Sequence, residues 1–237
     1  MSLKSPHVSI VIPVYNAEKL IIPSLKKIVA AFDHQKIVYE IILRDDGSRD
    51  RSGHVLRCLP PAEFPCVRVY VNERNSGLGD TLRQLISTAQ SENVIYCDID
   101  LPFGVDIFFP LLEGLQTHDI VVASRYNGQK NRLRPTRWLL SRLYYGLCKG
   151  LFDIPVRDIG SGTVAMRKKS FKALGCQAQG FDIHMEMYVQ AKKKSLSIQE
   201  IPAHFEETGH GSFRPFKHGP RILWQTLNYR FRHSLTS

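Results

Sequence analysis

The chain has 237 residues, a length typical of one large domain with its own hydrophobic core. Its hydrophobic content of 43% and charged content of 23% are those of a globular protein and exclude a disordered chain. No stretch of the sequence approaches the 18 or so apolar residues of a membrane-spanning helix. The formal net charge of +10 predicts an anionic partner, either nucleic acid, a phosphorylated substrate or an acidic membrane surface.

The N-terminus and the cysteines predict a cytoplasmic protein. Residues 1–6 lead into a strand pattern without a hydrophobic signal region. The five cysteines form no C-x-x-C pair, so we expect reduced and mostly buried thiols. The basic residues are spread along the chain and match no helix-turn-helix, zinc-finger or RNP-type motif. We therefore expect no nucleic-acid partner, and the sequence makes no prediction of oligomeric state.

The chain begins with alternating strand and helix patterns. An apolar run at residues 7–13 predicts a strand, and Asn16 is a favoured N-cap for a helix over 17–32. A second run at 37–43 ends in Asp45 and Asp46. Such alternation predicts an α/β fold with a mostly parallel central sheet flanked by helices on both faces.

A third strand, predicted at 67–71, leads into Gly77-Leu78-Gly79 and a helix over 80–89. The two glycines do not complete a dinucleotide-binding G-x-G-x-x-G motif, because Leu82 replaces the third glycine. The sequence also lacks the G-x-x-x-x-G-K-[ST] pattern of a P-loop.

Two carboxylates follow the fourth predicted strand. The apolar run at 94–97 ends in Asp98-Ile99-Asp100. The pair is either a solvated strand end or a site for a divalent cation, because Mg²⁺ takes one or two carboxylates together with substrate phosphates. Ligands bind beyond the carboxyl ends of parallel strands, so this pair is expected to share a crevice with Tyr15 and Asp46.

The second half of the chain contains two amphipathic helix patterns. A helix is predicted at 103–116 and a strand at 119–123, followed by a basic loop over 127–135. The helix predicted at 136–152 has an apolar stripe with basic flanks, which favours either a bilayer surface or burial against the sheet. The last helix, predicted at 220–233, is cationic and aromatic, a composition typical of membrane docking, partner docking or self-association.

Several motifs together resemble the family 2 glycosyltransferases, which have the GT-A fold. The first half of the chain carries Ile12-Pro13-Val14-Tyr15-Asn16-Ala17-Glu18, Asp45-Asp46-Gly47-Ser48-Arg49-Asp50, Asn75-Ser76-Gly77-Leu78-Gly79 and Asp98-Ile99-Asp100-Leu101. The second half is similar to the polyprenyl-phosphate branch, such as dolichyl-phosphate mannose synthases, through Ser124-Arg125-Tyr126, Arg137 with Ser141, Asp158-Ile159-Gly160-Ser161-Gly162, Gly180-Phe181 with Glu186, and Ile201-Pro202-Ala203-His204-Phe205. The resemblance implies a Rossmann-like GT-A catalytic domain over residues 1–211. The composition of residues 212–237 predicts a basic amphipathic helix that docks to a membrane or to a partner.

The resemblance also implies a role for each matching residue. The nucleotide pocket would be formed by Pro13, Tyr15, Glu18 and Asp46. Asp98 and Asp100 would hold Mg²⁺ or Mn²⁺ on the diphosphate of a nucleotide sugar, a GDP- or UDP-hexose. The phosphate of a lipid-phosphate acceptor would be gripped by Arg125, Arg137 and Ser141. Asp98, Asp100 and Arg125 are thus the expected catalytic residues.

Three positions depart from the pattern of the family. Pro102 stands where many relatives have glutamine, Val164 where the family has an arginine, and Thr208 close to where another arginine is usual. These departures concern the acceptor side more than the donor side.

The function implied is an inverting, metal-dependent transfer of mannose or glucose from a nucleotide sugar to a polyprenyl (dolichyl-type) phosphate, at the cytoplasmic face of a membrane. The alternatives are a family 2 transferase acting on a soluble glycan or another lipid, and a non-catalytic membrane-docking module.

Overall fold

The computed structural model describes residues 5–126, 135–206 and 215–234. In this part of the chain the strands are β1 Val8–Val14, β2 Tyr39–Asp45, β3 Val67–Val71, β4 Asn93–Cys97, β5 Ile120–Ser124, β6 Thr163–Arg167 and β7 Ile198–Pro202. The helices are α1 Ile21–His34, α2 Ser52–Arg57, α3 Leu78–Thr88, α4 Phe108–Gly114, α5 Pro135–Phe152, α6 Lys168–Leu174, α7 Ile183–Lys193 and α8 Pro215–Ser234.

The strands form one sheet in the order β3-β2-β1-β4-β6-β5-β7. All neighbours are parallel except β6, which lies antiparallel between β4 and β5. The prediction of a mostly parallel α/β sheet is confirmed.

Hydrophobic cores cover both faces of the sheet. Alternate residues of β4 belong to different cores. Ile95 and Cys97 pack with α1 and α4, whereas Val94 and Tyr96 pack with α3 and α7. This alternation follows from the two-residue period of a strand. Of the five cysteines, all free, Cys58 is exposed, Cys66 is half-buried and the other three are buried, as expected.

Two predicted helices begin later than the sequence indicates. Asn16 is not a helix cap: its φ of 51° is left-handed and α1 begins only at Ile21. The helix predicted at 103–116 is reduced to α4, and Gly104 near its predicted start has a φ of 70° that a right-handed α-helix does not accept.

Helix α8 packs beside α5. The hydroxyls of Tyr144 and Thr226 lie 3.0 Å apart, and the ring of Tyr229 meets that of Phe152 edge-on. None of the helices in residues 5–126, 135–206 and 215–234 is long and apolar enough to cross a bilayer.

Candidate functional site

The candidate site lies at the edge of the sheet where the parallel strands end. Val14 of β1 pairs with Asp45, and Val11 pairs with Tyr96 of β4. Asp98 follows Tyr96 by two residues and lies just beyond the C-terminal end of β4. Strand β6 is antiparallel, so its first residues reach the same edge. The topology thus brings the ends of β1, β2 and β4 together, as the sequence predicts.

A tight turn presents the two carboxylates. Strand β4 ends at Cys97, and the amide of Leu101 donates to the carbonyl of Asp98 over 3.0 Å. Leu101 adopts the left-handed φ of 47°, an uncommon conformation for a leucine. Ile99 and Leu101 are buried in the core, whereas Asp98 and Asp100 remain half-buried at the surface of the site. Burial of the two apolar residues therefore anchors the turn that carries the two acids.

Neighbouring groups hold Asp98 on two sides. Tyr96 donates its hydroxyl to Asp98 Oδ1 over 2.5 Å. The amide of Asp98 donates to the carbonyl of Gly162 over 2.8 Å, and a Cβ atom at Gly162 would lie 2.2 Å from Asp98 Oδ2. Burial, reinforced by the charge of Asp98, raises the pKa of Tyr96 well above its usual value. The phenol is therefore a permanent hydrogen-bond donor.

The residues predicted for the nucleotide pocket lie at one corner of this edge. Pro13, Tyr15 and Glu18 are half-buried. The amide of Glu18 donates to Asp50 Oδ2 over 3.1 Å, while Glu18 Oε2 accepts from the amide of Arg51 over 2.9 Å. These two bonds join the loop after β1 to the loop after β2.

The carboxylate of Asp46 organises the loop after β3. Its Oδ1 accepts from the amide and the hydroxyl of Ser76 over 2.8 and 2.9 Å, and its Oδ2 accepts from the amide of Gly77 over 2.9 Å. Asp46 is 4% exposed. Asp46 therefore fixes the conformation of the loop after β3. Its contact with a nucleotide stays a prediction.

The Gly77-Leu78-Gly79 motif permits close backbone packing. Cβ atoms at Gly77 and Gly79 would lie 2.4 and 2.1 Å from the carbonyl oxygens of Gln179 and Ala178. The amide of Gly79 donates to the carbonyl of Gln179 over 2.8 Å. The segment before α7 therefore occupies the N-terminus of α3, where a dinucleotide phosphate would otherwise bind.

Arg125 forms a buried ion pair with Asp158. Asp158 Oδ2 accepts from the backbone amide and the Nε of Arg125, each over 2.9 Å, and Oδ1 accepts from the Nη2. The arginine is 6% exposed and the aspartate 0%. Burial alone would lower the pKa of Arg125, but the charge of Asp158 outweighs it and raises that pKa above its usual range. Arg125 is thus a fixed positive charge.

A loop over 158–162 connects Arg125 with Asp98. Arg125 Nη2 donates to the carbonyl of Gly160 over 3.1 Å, and Gly162 packs on Asp98. The charge of Asp98 also contributes to the raised pKa of Arg125. The loop therefore places the predicted metal ligand beside the predicted acceptor cation.

Ser141 joins the same group through Tyr126. The hydroxyl of Tyr126 donates to Ser141 Oγ over 2.7 Å, and the Tyr126 ring lies 5.6 Å from the guanidinium of Arg125. Arg137 occupies the first turn of α5, one turn before Ser141, and its side chain lies outside the described residues. Binding of an acceptor phosphate by Arg125, Arg137 and Ser141 stays a prediction.

Two of the three departures from the family pattern, Pro102 and Val164, lie in the described part of the chain. Glu206 donates its amide to the carbonyl of Pro102 over 2.9 Å, which fastens the turn after Asp100 to the segment after β7. Val164 is buried in β6. Thr208 lies outside the described residues.

The donor set at Asp98 and Asp100 fits a hard divalent cation. Carboxylate oxygens are the ligands that Mg²⁺ and Mn²⁺ prefer. Within the described ranges there is no cluster of three or more His, Cys, Asp or Glu side chains that could hold a metal ion. A cation at these two carboxylates would thus depend on substrate oxygens or water for its remaining ligands.

The fold matches that of solved GT-A glycosyltransferases. The crystal structure of mannosyl-3-phosphoglycerate synthase from Rubrobacter xylanophilus superposes with a TM-score of 0.71 at 17% identity, covering 98% of this chain and 76% of that one. Glucosyl-3-phosphoglycerate synthase from Mycobacterium tuberculosis, solved with Mn²⁺, uridine diphosphate and glucosyl-3-phosphoglycerate, gives 0.70 at 19% identity, covering 95% and 80%. The protein therefore has the GT-A fold.

The sequence comparisons define the family. Residues 9–175 match the model of glycosyl transferase family 2, and the chain belongs to this family. It is 32% identical over 208 residues to undecaprenyl-phosphate 4-deoxy-4-formamido-L-arabinose transferase of Edwardsiella ictaluri, covering 86% of this chain and 61% of that one. It is 28% identical to dolichol-phosphate mannosyltransferase of Pyrococcus furiosus, covering 84% and 56%. The chain thus spans a little over half the length of these relatives.

Sequence reasoning missed Tyr96 and His184, which lie beneath Asp98. Tyr96 is two residues before Asp98. Because side chains two residues apart lie on the same face of a strand, the sequence could have indicated this contact. The His184 ring stacks on Tyr96, with centroids 5.6 Å apart and an interplanar angle of 29°. Burial lowers the pKa of His184 to about 4, so the imidazole is neutral at pH 7. No local signal connects His184 with β4.

Proposed function

We propose that this chain is a metal-dependent, inverting glycosyltransferase that moves a hexose from a nucleotide-diphosphate sugar to a polyprenyl phosphate. The observation that carries the proposal is the loop over 158–162, which contacts Arg125 at one end and Asp98 at the other. The names of the relatives support the acceptor class, because they are transferases to undecaprenyl phosphate and dolichol phosphate.

On the donor side, Asp98 and Asp100 would hold Mg²⁺ or Mn²⁺. When bound there, the cation neutralises the charge of the departing nucleoside diphosphate. Pro13, Tyr15 and Glu18 line the corner proposed for the base and ribose. Support for a nucleotide donor comes from the fold, because the M. tuberculosis structure holds uridine diphosphate with Mn²⁺.

On the acceptor side, the chain would bind a lipid phosphate with positive charge. A phosphate ester is ionised at neutral pH, so its oxygen can attack the anomeric carbon without a strong general base. Arg125 supplies a fixed cation within a buried network, Ser141 joins this network through Tyr126, and Arg137 precedes Ser141 by four residues in α5. Orientation of the acceptor oxygen is then the main contribution of these residues.

A transfer assay tests the proposal. The protein is incubated with GDP- and UDP-hexoses, Mn²⁺ or Mg²⁺, and either a polyprenyl phosphate or soluble glycan acceptors. We expect transfer to the polyprenyl phosphate, with loss of about a hundredfold or more in Asp98→Asn and Asp100→Asn. Asp106→Asn is the matched control, because Asp106 is exposed and lies further along the same loop.

Three outcomes would contradict parts of the proposal. Transfer only to soluble acceptors would show a family 2 enzyme of different acceptor class. Full activity of Asp98→Asn and Asp100→Asn would remove the metal role of these carboxylates. Absence of sugar transfer to every acceptor, with donor binding unchanged in both variants, would favour a non-catalytic docking module.

The acceptor class also predicts a peripheral membrane location, which the exposed surface supports. Among the large hydrophobic side chains that are exposed in the described parts of the chain, Val38 lies apart and the others are on α5 and α8: Trp138, Leu139, Leu140, Leu143, Leu223, Trp224, Leu227 and Phe231. Exposed arginines accompany them, and Arg142 lies over the Trp138 ring. Apolar and cationic side chains on paired helices match an anionic bilayer surface.

Vesicle sedimentation tests this location. We expect vesicles containing anionic lipid to recruit the protein, with weaker binding at high salt because screening reduces the attraction. Trp224→Ala combined with Arg230→Ala should weaken recruitment. Val38→Ala is the control, since Val38 is exposed but lies before β2, away from these helices. Unchanged binding of the double variant would exclude α8 as the docking element.

A further inference from the structure

The carboxylate of Asp98 is held in one orientation by its surroundings. Its Oδ1 accepts the Tyr96 hydroxyl over 2.5 Å, and its Oδ2 faces the Cα of Gly162 at a distance that leaves no room for a Cβ atom. The Asp98 amide is bonded to the Gly162 carbonyl over 2.8 Å. Rotation about the Cβ–Cγ bond would break the hydrogen bond from Tyr96.

Tyr96 is itself fixed within the core. The side chain is 1% exposed, in the cluster that packs against α3 and α7. Its ring stacks on His184, which is 6% exposed in the first turn of α7. The hydroxyl therefore has a defined position that depends on the sheet and on α7, and not on the surface of the site.

We infer that Tyr96 is a positioning residue that holds Asp98 in its cation-binding orientation, with His184 as the platform for the Tyr96 ring. The inference rests on the proposed metal role of Asp98 and goes further, because it assigns a function to two buried side chains that would not contact substrate. Partners that orient a metal ligand typically contribute 10- to 100-fold to metal affinity.

Tyr96→Phe is the decisive variant. Phenylalanine keeps the ring, its burial and its contact with His184, and removes only the oxygen that donates to Asp98. Tyr188→Phe is the matched control, because Tyr188 is 0% exposed and its hydroxyl has no hydrogen-bond partner among the described residues. Both variants lose one buried phenolic oxygen, but only one of these oxygens contacts the site.

The measurement is Mn²⁺ binding followed by electron paramagnetic resonance, with saturating GDP and, in a separate series, UDP. We expect Tyr96→Phe to weaken Mn²⁺ binding about tenfold or more. Tyr188→Phe should bind as the unmodified protein does, and melting temperatures should confirm that both variants are folded. His184→Ala should also weaken binding by releasing the Tyr96 ring, and His184→Phe should restore it by supplying a new ring.

The outcomes separate this inference from the proposed function. If Asp98→Asn abolishes Mn²⁺ binding while Tyr96→Phe binds normally, the positioning role is overturned and the metal site stands. If Asp98→Asn and the unmodified protein bind Mn²⁺ equally, the metal role of Asp98 is overturned and the positioning role with it. Equal weakening in Tyr96→Phe and Tyr188→Phe would indicate a general loss of packing and would also overturn the inference.

Discussion

Replacement of Asp158 by alanine should unfold the protein at a much lower temperature. Asp158 is fully buried, and its carboxylate accepts three hydrogen bonds from Arg125, one from the backbone amide and two from the guanidinium. The guanidinium is itself 6% exposed. Alanine therefore leaves a buried positive charge without this carboxylate.

The magnitude follows from the burial of both partners. Removing one member of a buried ion pair costs about 3–5 kcal/mol. This is a large share of the roughly 5–15 kcal/mol that stabilises a typical domain. At about 2–4 °C per kcal/mol for a chain of this size, the Tm should fall by roughly 6–20 °C.

Thermal and urea unfolding followed by circular dichroism would measure the loss. Asp153→Ala is the control, because Asp153 pairs with Lys149 and Lys192 on the surface, where solvent screens ion pairs. Its Tm should change little. Replacing both partners, as Asp158→Leu with Arg125→Met, should recover much of the stability, because no buried charge remains. If Asp158→Ala is no less stable than Asp153→Ala, the reasoning about this ion pair is refuted.

Three further predictions concern single residues. Gly162→Ala should weaken Mn²⁺ binding and sugar transfer because its Cβ would displace Asp98, whereas Gly160→Ala in the same loop should not, since its Cβ meets only an arginine nitrogen at 3.7 Å. Gly79→Ala should lower the Tm, because its Cβ would lie 2.1 Å from a backbone oxygen; an unchanged Tm would contradict the packing described. Burial lowers the pKa of His184 from 6.5 to about 4 in the folded protein. Between these pH values the unfolded chain therefore binds more protons than the folded protein, so the free energy of unfolding falls as the pH is lowered. From pH 7 to 5 the loss should be roughly 2 kcal/mol more than in His184→Phe, measured by urea unfolding at both pH values.

The local features of the site were predictable because they depend on residues close in sequence. Apolar runs ending in Asp46 and Asp98 predict strand ends, and parallel strands end at one edge, so the shared position of these acids followed without coordinates. Asn16 shows the limit of such reasoning. Its side chain accepts the amide of Arg49 over 2.8 Å, a contact across 33 residues that outweighs its preference for capping a helix.

Partners distant in sequence could not be predicted. Arg125 was recognised as a cation for the acceptor, but the carboxylate that buries and holds it lies 33 residues away. Glycines 77 and 79 were recognised as a pair, but the segment that packs on them, Ala178 and Gln179, comes about 100 residues later, just before α7. In both cases the residue type was visible in the sequence. Its contact depended on how distant segments of the chain pack together in the tertiary structure.

The sequence by itself determined the alternation of strands and helices, the two acids after β4 and the family to which the motifs point, because each depends on local periodicity or short spacing. Only the tertiary structure decided that β6 inserts antiparallel between β4 and β5. This insertion brings the loop over 158–162 against Asp98 and Arg125, and it allows α7 to place His184 beneath Tyr96. Pairing between distant strands depends on the packing of the whole core, which no local pattern encodes.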